Sequence, residues 1–344
     1  MYISKLYKLY NLWYRITRKI KGIFVKKKTQ IYLRDRVSEY HSIWHIIADK
    51  LNAKITTIDK DIWLISKNDR VVPLRLHQLP LDNDVVLRIC GKKELVHRLL
   101  SNANIPIPKY CLFDVHNFTL AKEFLNEHPK GVVVKPTDGY SGLGVTTHIY
   151  TVKQLQSAMI LASLYSKSLM IEEQIVGENY RILVFKGKVL HAVKRKGVTV
   201  KGDGKSSISV LINNSVMDPD IKFTLDKQGL TLKSIPNKDE MVLVRSLGAK
   251  YDGRKELRTI YNTEVTDLLH ASIVSLSCKA AKIVCAELVG VDIITTDISK
   301  PIENTNGIIN ELNTTPALHH HYDYSKEELP LPALTIVKNL LGES

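Results

Sequence analysis

Two apolar segments near the C-terminus each carry isolated polar side chains, and this constrains the fold more than any other feature. The segments VGVDIITTDI and GIINELN read as strands and contain Asp292, Glu311 and Asn313. A carboxylate buried on an apolar strand is costly unless it is paired or bound to a metal. Glu311 and Asn313 are two residues apart, so both point to one face of their strand. With Asp292 on a neighbouring strand they predict an all-oxygen site of the kind magnesium prefers, with Asp297 a less favoured substitute for Asp292.

A second informative segment, residues 131–145 (GVVVKPTDGYSGLGV), is an apolar strand that runs into a glycine-rich loop. Glycines allow a backbone to approach a ligand closely, so its amide groups can bind phosphate oxygens. Lys135 at the end of the strand adds a fixed cation. A glycine-rich turn by itself is more often a plain loop, and neither GxxxxGK[ST] nor GxGxxG is present.

The third segment, LMIEEQIVGENYRILVF, places Glu172, Gln174 and Glu178 between two apolar strands. Acids at the end of a buried strand lie at a sheet edge, where they could accept hydrogen bonds from ribose hydroxyls or adenine. A solvated connection is the alternative. Three consecutive histidines at 319–321 cannot all face one ion on regular backbone, so substrate contact or loop polarity is favoured over zinc.

The chain alternates strand-like and helical patterns, which predicts a mixed α/β fold. Residues 35–90 read as a small N-terminal α/β unit. Helices are predicted over 92–104, 151–164 and 263–286.

The first 34 residues hold ten Lys or Arg and no acid, whereas the remainder has 39 basic and 35 acidic residues. The positive charge is therefore mainly local, which argues against nucleic-acid binding. Apolar residues at three- and four-residue steps predict an amphipathic basic helix. It could pack on its own domain or on a second subunit, or dock on an anionic membrane surface or an acidic partner.

No stretch of 18 uncharged apolar residues occurs, and the N-terminus does not read as a secretory signal. The four cysteines form no CxxC pair, which is typical of reduced thiols in a cytosolic protein. We therefore expect a cytoplasmic protein, with peripheral attachment to the inner membrane face as an option. The cysteines are Cys90, Cys111, Cys278 and Cys285.

Taken together and in order, these segments resemble the ATP-grasp superfamily, and within it the ATP-grasp domain of cyanophycin synthetase. The resemblance runs from about residue 37 to 325, and no Mur-type ligase domain follows. It implies an ATP-grasp fold, in which two α/β lobes grip ATP, with a small N-terminal α/β domain and a basic N-terminal helix. The implied ATP-grasp domain is 91–344, with a nucleotide lobe at about 105–185 and a catalytic lobe at about 186–330. The segments that carry the resemblance are KKELVHRLLSNANIPIP, VVVKPTDGYSGLGV, IEEQIVGENYRILVFKGKVLHAV, VKGDGKSSISVLI and GVDIITTDISKPIENTNGIINELNTTP.

The resemblance also implies roles for individual residues. Nucleotide binding falls to Lys93, Lys135, Asp138, Gly139, Ser141, Gly142, Gly144, Glu172, Gln174, Ile175 and Glu178. Magnesium binding falls to Asp292, Glu311 and Asn313. Arginines implied to face the phosphates or the carboxylate being activated are Arg181, Arg195 and Arg245.

The implied activity is ATP-dependent carboxylate–amine ligation through an acyl phosphate. ATP and Mg²⁺ are the implied cofactors, with two ions expected and Mn²⁺ as a substitute. The implied substrates are an amino acid, a peptide or an amino-bearing small molecule, and a homodimer is expected. A small-molecule kinase and a weakly catalytic nucleotide-binding partner protein are the alternatives.

Two departures from the family pattern lie on the substrate side. After Arg245 the chain reads SLGAKYDGRKE, without the Asn and the Ser-Thr-Gly-Gly usual there. Pro316-Ala317 stands where a Pro-Gly turn is usual.

Overall fold

The computed structural model of the chain describes residues 37–138, 144–212, 219–226, 228–245, 247, 262–321 and 331–343. Within these ranges the strands form four sheets, and neighbouring strands pair antiparallel throughout. None of the described helices is both long and apolar enough to cross a bilayer. The predicted basic helix at 1–34 lies outside the described residues.

An N-terminal unit is built from a three-stranded sheet and two helices. Its core contains Trp44, Trp63 and Leu74, together with Leu183 and Leu288 from a later sheet. These apolar side chains recur every second residue on strands and every third or fourth on helices, so each element buries one face. The elements are α1 (37–50), β1 (Lys54–Asp59), β2 (Ile62–Lys67), β3 (Arg70–Arg75) and the C-terminal α9 (Leu331–Leu340).

A four-stranded sheet in the order β4-β7-β5-β6 is formed by strands between residues 110 and 173. Two helices pack on its apolar side, around Val134, Leu155 and Ile171. The second helix begins at a capping box formed by Thr151 and Gln154, which satisfies amides at the helix start. The elements are β4 (Tyr110–Phe113), α4 (Phe118–Glu127), β5 (Val132–Pro136), β6 (Thr146–Ile149), α5 (Val152–Ser163) and β7 (Leu169–Glu173).

The largest sheet has five strands in the order β12-β9-β8-β13-β14. Three helices cover one of its faces and share a core that includes Ile182, Val291 and Ile309. The elements are α2 (Asp84–Cys90), α3 (Lys93–Asn102), β8 (Glu178–Phe185), β9 (Lys188–Arg195), β12 (Thr263–Glu264), α8 (Ala271–Ile283), β13 (Leu288–Thr295) and β14 (Ile308–Thr314).

A two-stranded sheet with two short helices follows β9 in the chain and has its own small core of Ile208, Leu225 and Val242. Its elements are β10 (Val198–Lys201), α6 (Ile208–Leu211), α7 (Pro219–Asp226) and β11 (Met241–Arg245).

The helix predicted over 263–286 is wrong at its start. Residues 263–264 pair with β9 as β12, a 3₁₀ turn follows, and α8 begins only at Ala271. The His270 side chain accepts a hydrogen bond from the Ser272 amide and so caps the helix there.

Contacts also cross the predicted domain limits. Val86 and Cys90 from α2 lie in the core of the five-stranded sheet, and β8 belongs to that sheet instead of the four-stranded one. The C-terminal α9 packs with the N-terminal unit. The limits themselves stay a prediction.

Candidate nucleotide and metal site

Charged side chains line the face of the five-stranded sheet opposite its helices. On β8, Tyr180 and Ile182 enter the helix-side core, so Arg181 between them points to the other face. Asp292 lies opposite Arg181 on one side and opposite Glu311 on the other. We call the side chains on this side of the sheet the polar face, defined by Arg181, Asp292, Glu311 and Asn313.

Arg181 and Asp292 form a two-point ion pair. The arginine Nε donates to Oδ1 and its Nη2 to Oδ2 of the aspartate, each at 2.7 Å. Asn313 Nδ2 donates to the same Oδ2 at 3.1 Å. Because guanidinium and carboxylate are planar, the paired bonds fix the orientation of both groups. Gly290 lies beside this pair, and a Cβ there would be at an ordinary contact distance of 3.4 Å from Arg181 Cδ.

Lys93 connects α3 to the polar face. Its Nζ lies 3.2 Å from Glu311 Oε1, and its backbone amide donates to the Thr137 carbonyl after β5. Burial raises the pKa of the Glu311 carboxyl, but the charges of Lys93, Lys135 and Arg181 outweigh it and hold that pKa below its ordinary value. Cations from two sheets and a helix therefore act on one carboxylate.

Lys135 on β5 and Glu172 on β7 form a buried ion pair, with Nζ 2.6 Å from Oε1 and both side chains less than a tenth exposed. His97 on α3 approaches the same oxygen with its Nε2 at 3.0 Å. Burial raises the pKa of the Glu172 carboxyl, but Lys135 and His97 more than offset this and lower it. The cluster ties α3 to the four-stranded sheet.

The oxygen donors fit magnesium. Two carboxylates and one amide, from Asp292, Glu311 and Asn313, lie in adjacent positions on β13 and β14, and Mg²⁺ prefers such oxygen ligands. Among the described residues there is no group of three or more His, Cys, Asp or Glu side chains suited to a metal, so the set depends on the Asn313 amide. Asp297 lies in the turn after β13, where it accepts bonds from Ser299 and pairs with Lys300.

Of the predicted adenine-side residues, Glu172 lies on β7, and Gln174 and Ile175 follow it. The Gln174 side chain accepts from the His148 amide at 3.0 Å, and its Nε2 donates to the Ile175 carbonyl at 3.3 Å. Glu178 begins β8, is half exposed and pairs with Lys194 at 3.1 Å. These contacts place Gln174, Ile175 and Glu178 along the connection between the two large sheets.

Asp138 lies at the start of the glycine-rich loop. Its backbone forms an isolated antiparallel β-bridge with the backbone of Lys92. Ser166 Oγ donates to its carboxylate at 3.4 Å. Gly144 ends the loop at a φ of +74°, and a Cβ there would lie 2.7 Å from the Tyr165 ring. Gly139, Ser141 and Gly142 lie outside the described residues.

Arg181 is the predicted arginine that the structure brings to the carboxylates. Arg195 lies on β9 opposite Asn179, two residues along from the Arg181–Val193 pair and therefore on the same side of the sheet as Arg181. Arg245 ends β11 opposite Val198, in the two-stranded sheet. The roles assigned to Arg195 and Arg245 stay predictions.

Sequence reasoning missed His97, although it is four residues after Lys93 and therefore on the same helix face. It also missed His191 and Glu264, which cluster with His321, one of the three consecutive histidines for which substrate contact or loop polarity is favoured. His191 and His321 are 130 residues apart, and their side chains meet only through the fold, with their Nδ1 atoms 3.1 Å apart.

Known proteins resemble this chain in sequence and in fold. A family model described as D-ala D-ala ligase C-terminus matches residues 99–204. Cyanophycin synthetase of Trichormus variabilis is 30% identical over 247 residues, covering 67% of this chain and 26% of that protein. The glutathione biosynthesis bifunctional protein GshAB of Clostridium perfringens is 29% identical over 260 residues, covering 70% of this chain and 32% of that protein.

A crystal structure of a bifunctional glutathione synthetase from Pasteurella multocida superposes with a TM-score of 0.57 at 21% identity, covering 84% of this chain and 42% of that one. This likeness confirms the predicted fold. The chain spans about a quarter to a third of the length of the curated relatives named above. By its fold, its matched family segment and its similarity to cyanophycin synthetase, the chain belongs to the ATP-grasp superfamily.

Proposed function

We propose that this protein is an ATP-dependent carboxylate–amine ligase that forms an amide or peptide bond through an acyl phosphate. The observation that carries the proposal is the convergence of three cations and two carboxylates between the two large sheets. Lys93, Lys135 and Arg181 all act on Glu311, and Arg181 holds Asp292.

Each group has a role in this proposal. Asp292, Glu311 and Asn313 hold Mg²⁺, two ions in all, with Mn²⁺ as a substitute. Lys93 and Lys135 bind the phosphates. Glu172 on β7 and the following Gln174 and Ile175 receive adenine, and Glu178 binds the ribose. The loop from Asp138 to Gly144 closes over the phosphates.

The chemistry depends on charge. Transfer of the γ-phosphoryl group to a carboxylate brings two anions together, and fixed cations lower that repulsion. Magnesium supplies further neutralisation of the phosphate charge. Lys93, Lys135 and Arg181 supply the protein's share, and closure of the loop protects the acyl phosphate from water.

The test is product analysis with ATP, Mg²⁺ and pooled amino acids and dipeptides. ADP and phosphate should be released together with a new amide. Release of AMP would rule out the acyl-phosphate route, a stable phosphorylated product without an amine would indicate a kinase, and ATP binding without turnover would indicate a nucleotide-binding partner protein.

Asp292→Asn should slow ADP release roughly 10²–10⁴-fold, because it removes one negative charge from the proposed metal site. The matched control is Asp297→Asn, which removes a carboxylate from the turn after the same strand. It should leave the rate near that of the parent protein. Equal losses in both variants would contradict the assignment of Asp292.

The basic segment 1–34 supports a second part of the proposal, docking on an anionic membrane surface or an acidic partner by a cytoplasmic protein. A full-length variant with Lys26, Lys27 and Lys28 all changed to Gln should bind vesicles containing phosphatidylserine more weakly than the parent, and both should release as salt rises. Equal vesicle binding by the parent and the variant would contradict docking on a membrane surface. The proposed homodimer is tested by light scattering.

A further inference from the structure

A buried histidine that the proposed ligase chemistry does not use connects the two large sheets. His97 is 2% exposed and lies on α3, four residues after Lys93 and therefore on the same face of that helix. Lys93 reaches Glu311 on β14, in the five-stranded sheet. His97 instead approaches Glu172 on β7, in the four-stranded sheet. One helix face thus supplies a basic side chain to a carboxylate of each sheet.

Both ring nitrogens of His97 face oxygens that only accept protons. Nδ1 lies 2.9 Å from the Lys93 carbonyl oxygen, so Nδ1 carries a proton and donates it there. Nε2 lies 3.0 Å from Glu172 Oε1, and the pKa of that carboxyl is lowered despite its burial, so the oxygen is ionised. An unprotonated Nε2 would direct its lone pair at this negative charge. Both nitrogens therefore carry a proton, and the ring is an imidazolium. Among the described residues neither Nε2 nor Oε1 has an aligned hydrogen bond, so charge holds the two atoms together.

The two cations on Glu172 differ in their freedom to move. The His97 ring is tied to the helix backbone through Nδ1, and Tyr110 on β4 lies edge-on to it, with ring centroids 5.0 Å apart and planes at 65°. Lys135 carries its charge at the end of a flexible four-carbon stem. Its charge acts on Glu311 as well as on Glu172, so it lies within range of both carboxylates. Lys135 can therefore change partner, whereas His97 stays with Glu172.

The charges around Glu172 include one more cation than this carboxylate requires. The titratable or charged groups around the His97 ring are Glu172 from β7, Lys135 from β5 and Tyr110 from β4, with Lys93, Glu94 and Arg98 near it on α3 itself. When Lys135 turns away, the imidazolium still neutralises Glu172. Without the imidazolium, the same movement would leave a buried carboxylate with no counter-ion, which is strongly unfavourable.

We propose that His97 is a positioning residue for nucleotide binding: it keeps Glu172 paired and so releases Lys135 to the phosphates of ATP. This rests on the proposed function, in which Lys135 binds phosphate. His97 acts only through Glu172 and Lys135 and does not touch the nucleotide. Because the role depends on the second ring proton, ATP affinity falls as pH rises and the ring becomes neutral.

Calorimetry of ATP binding to the full chain in the presence of Mg²⁺ provides the test. His97→Gln keeps a hydrogen-bond donor but loses the charge, so at neutral pH it should weaken ATP binding about ten- to a hundredfold. His97→Lys restores a cation, so its dissociation constant for ATP should stay within about threefold of that of the parent. Thermal unfolding of each variant shows that it is folded.

The pH profile distinguishes a role of the charge from a role of the ring in packing. Between about pH 6 and 9 the parent should lose ATP affinity relative to His97→Lys, because a histidine gives up its proton in that range more readily than a lysine does. The ratio of the two affinities cancels the titration of ATP itself. If His97→Gln does not fold, this ratio decides the question.

Arg98→Gln is the matched control, because it removes an exposed cation at the next position of α3, and it should bind ATP as the parent does. In a Lys135→Met background, His97→Gln should change ATP affinity by less than about twofold, since no cation remains to be released. Equal affinity of the parent and His97→Gln, a loss that His97→Lys does not reverse, or a ratio that does not vary with pH would each overturn the role of His97. If the parent does not bind ATP, the proposed function itself fails.

Discussion

The Glu172–Lys135 pair offers a direct test of how the candidate site is held together. Glu172→Gln removes the negative charge but keeps the shape of the side chain. The ammonium of Lys135 and the ring of His97 then lose their shared partner in a region where Glu172 is 2% and Lys135 is 5% exposed. A buried cation left without its counter-ion is more costly than the pair was favourable.

The expected magnitude follows from that burial. Breaking a buried ion pair by removing one partner costs about 3–5 kcal/mol in the free energy of unfolding. Lys135→Met should cost less, because His97 still contacts Glu172. The double variant Lys135→Met with Glu172→Gln removes both charges, so it should be more stable than the two single losses predict, by about 2 kcal/mol.

The assay is urea unfolding of the four proteins followed by far-UV circular dichroism. Glu127→Gln, at the exposed end of α4 in the same lobe, is the control and should change stability by less than about 0.5 kcal/mol. If the single losses add to within about 0.5 kcal/mol, the two side chains are not coupled. The account of the site as a set of buried ion pairs would then be wrong.

Three further outcomes follow from the same geometry. The pKa values of Glu172 and Glu311 are lowered in the folded protein, so both carboxylates stabilise the fold at pH values above the ordinary carboxyl pKa. The melting temperature should therefore fall as the pH drops from about 5 toward 3. This fall should be less steep in Glu172→Gln, which lacks one of the two carboxylates. Gly290→Ala places a Cβ 3.3 Å from Pro316 Cβ and at an ordinary contact distance of 3.4 Å from Arg181 Cδ, so thermal unfolding should show a change of no more than about 1 kcal/mol. Glu178→Gln breaks only a half-exposed ion pair with Lys194, so the free energy of unfolding should change by under about 1 kcal/mol. Calorimetry should show ATP binding about tenfold weaker, because a hydrogen bond to a charged group is lost. Unchanged affinity would contradict the assignment of Glu178 to the ribose site.

The metal-side residues could be predicted from the sequence because strand periodicity is local. Glu311 and Asn313 share a face at a spacing of two, and an acid on an apolar strand demands a partner. Lys135 was likewise marked by its position at the end of a buried strand. In each case the necessary information lay within a few residues of the side chain concerned.

What could not be predicted depends on which strands become neighbours. Arg181 meets Asp292 because β8 and β13 pair across 111 residues of sequence. Nothing near either residue specifies that pairing. The two-residue strand β12 was read as the start of a helix for the same reason, because its conformation is set by pairing with β9 and not by its own pattern.

The polar face and the Lys135–Glu172 pair beside it can exist in a folded protein because their charges are matched. Asp292 pairs with Arg181, Glu311 with Lys93 and Glu172 with Lys135, so three carboxylates lie against three cations. A triphosphate with magnesium carries both signs. Under the proposed function the carboxylates of Asp292 and Glu311 can turn to metal and the cations to phosphate, while Glu172 keeps its contact with His97. The same reasoning requires that removal of one member harm the protein more than removal of a matched pair, which the Lys135 and Glu172 variants measure.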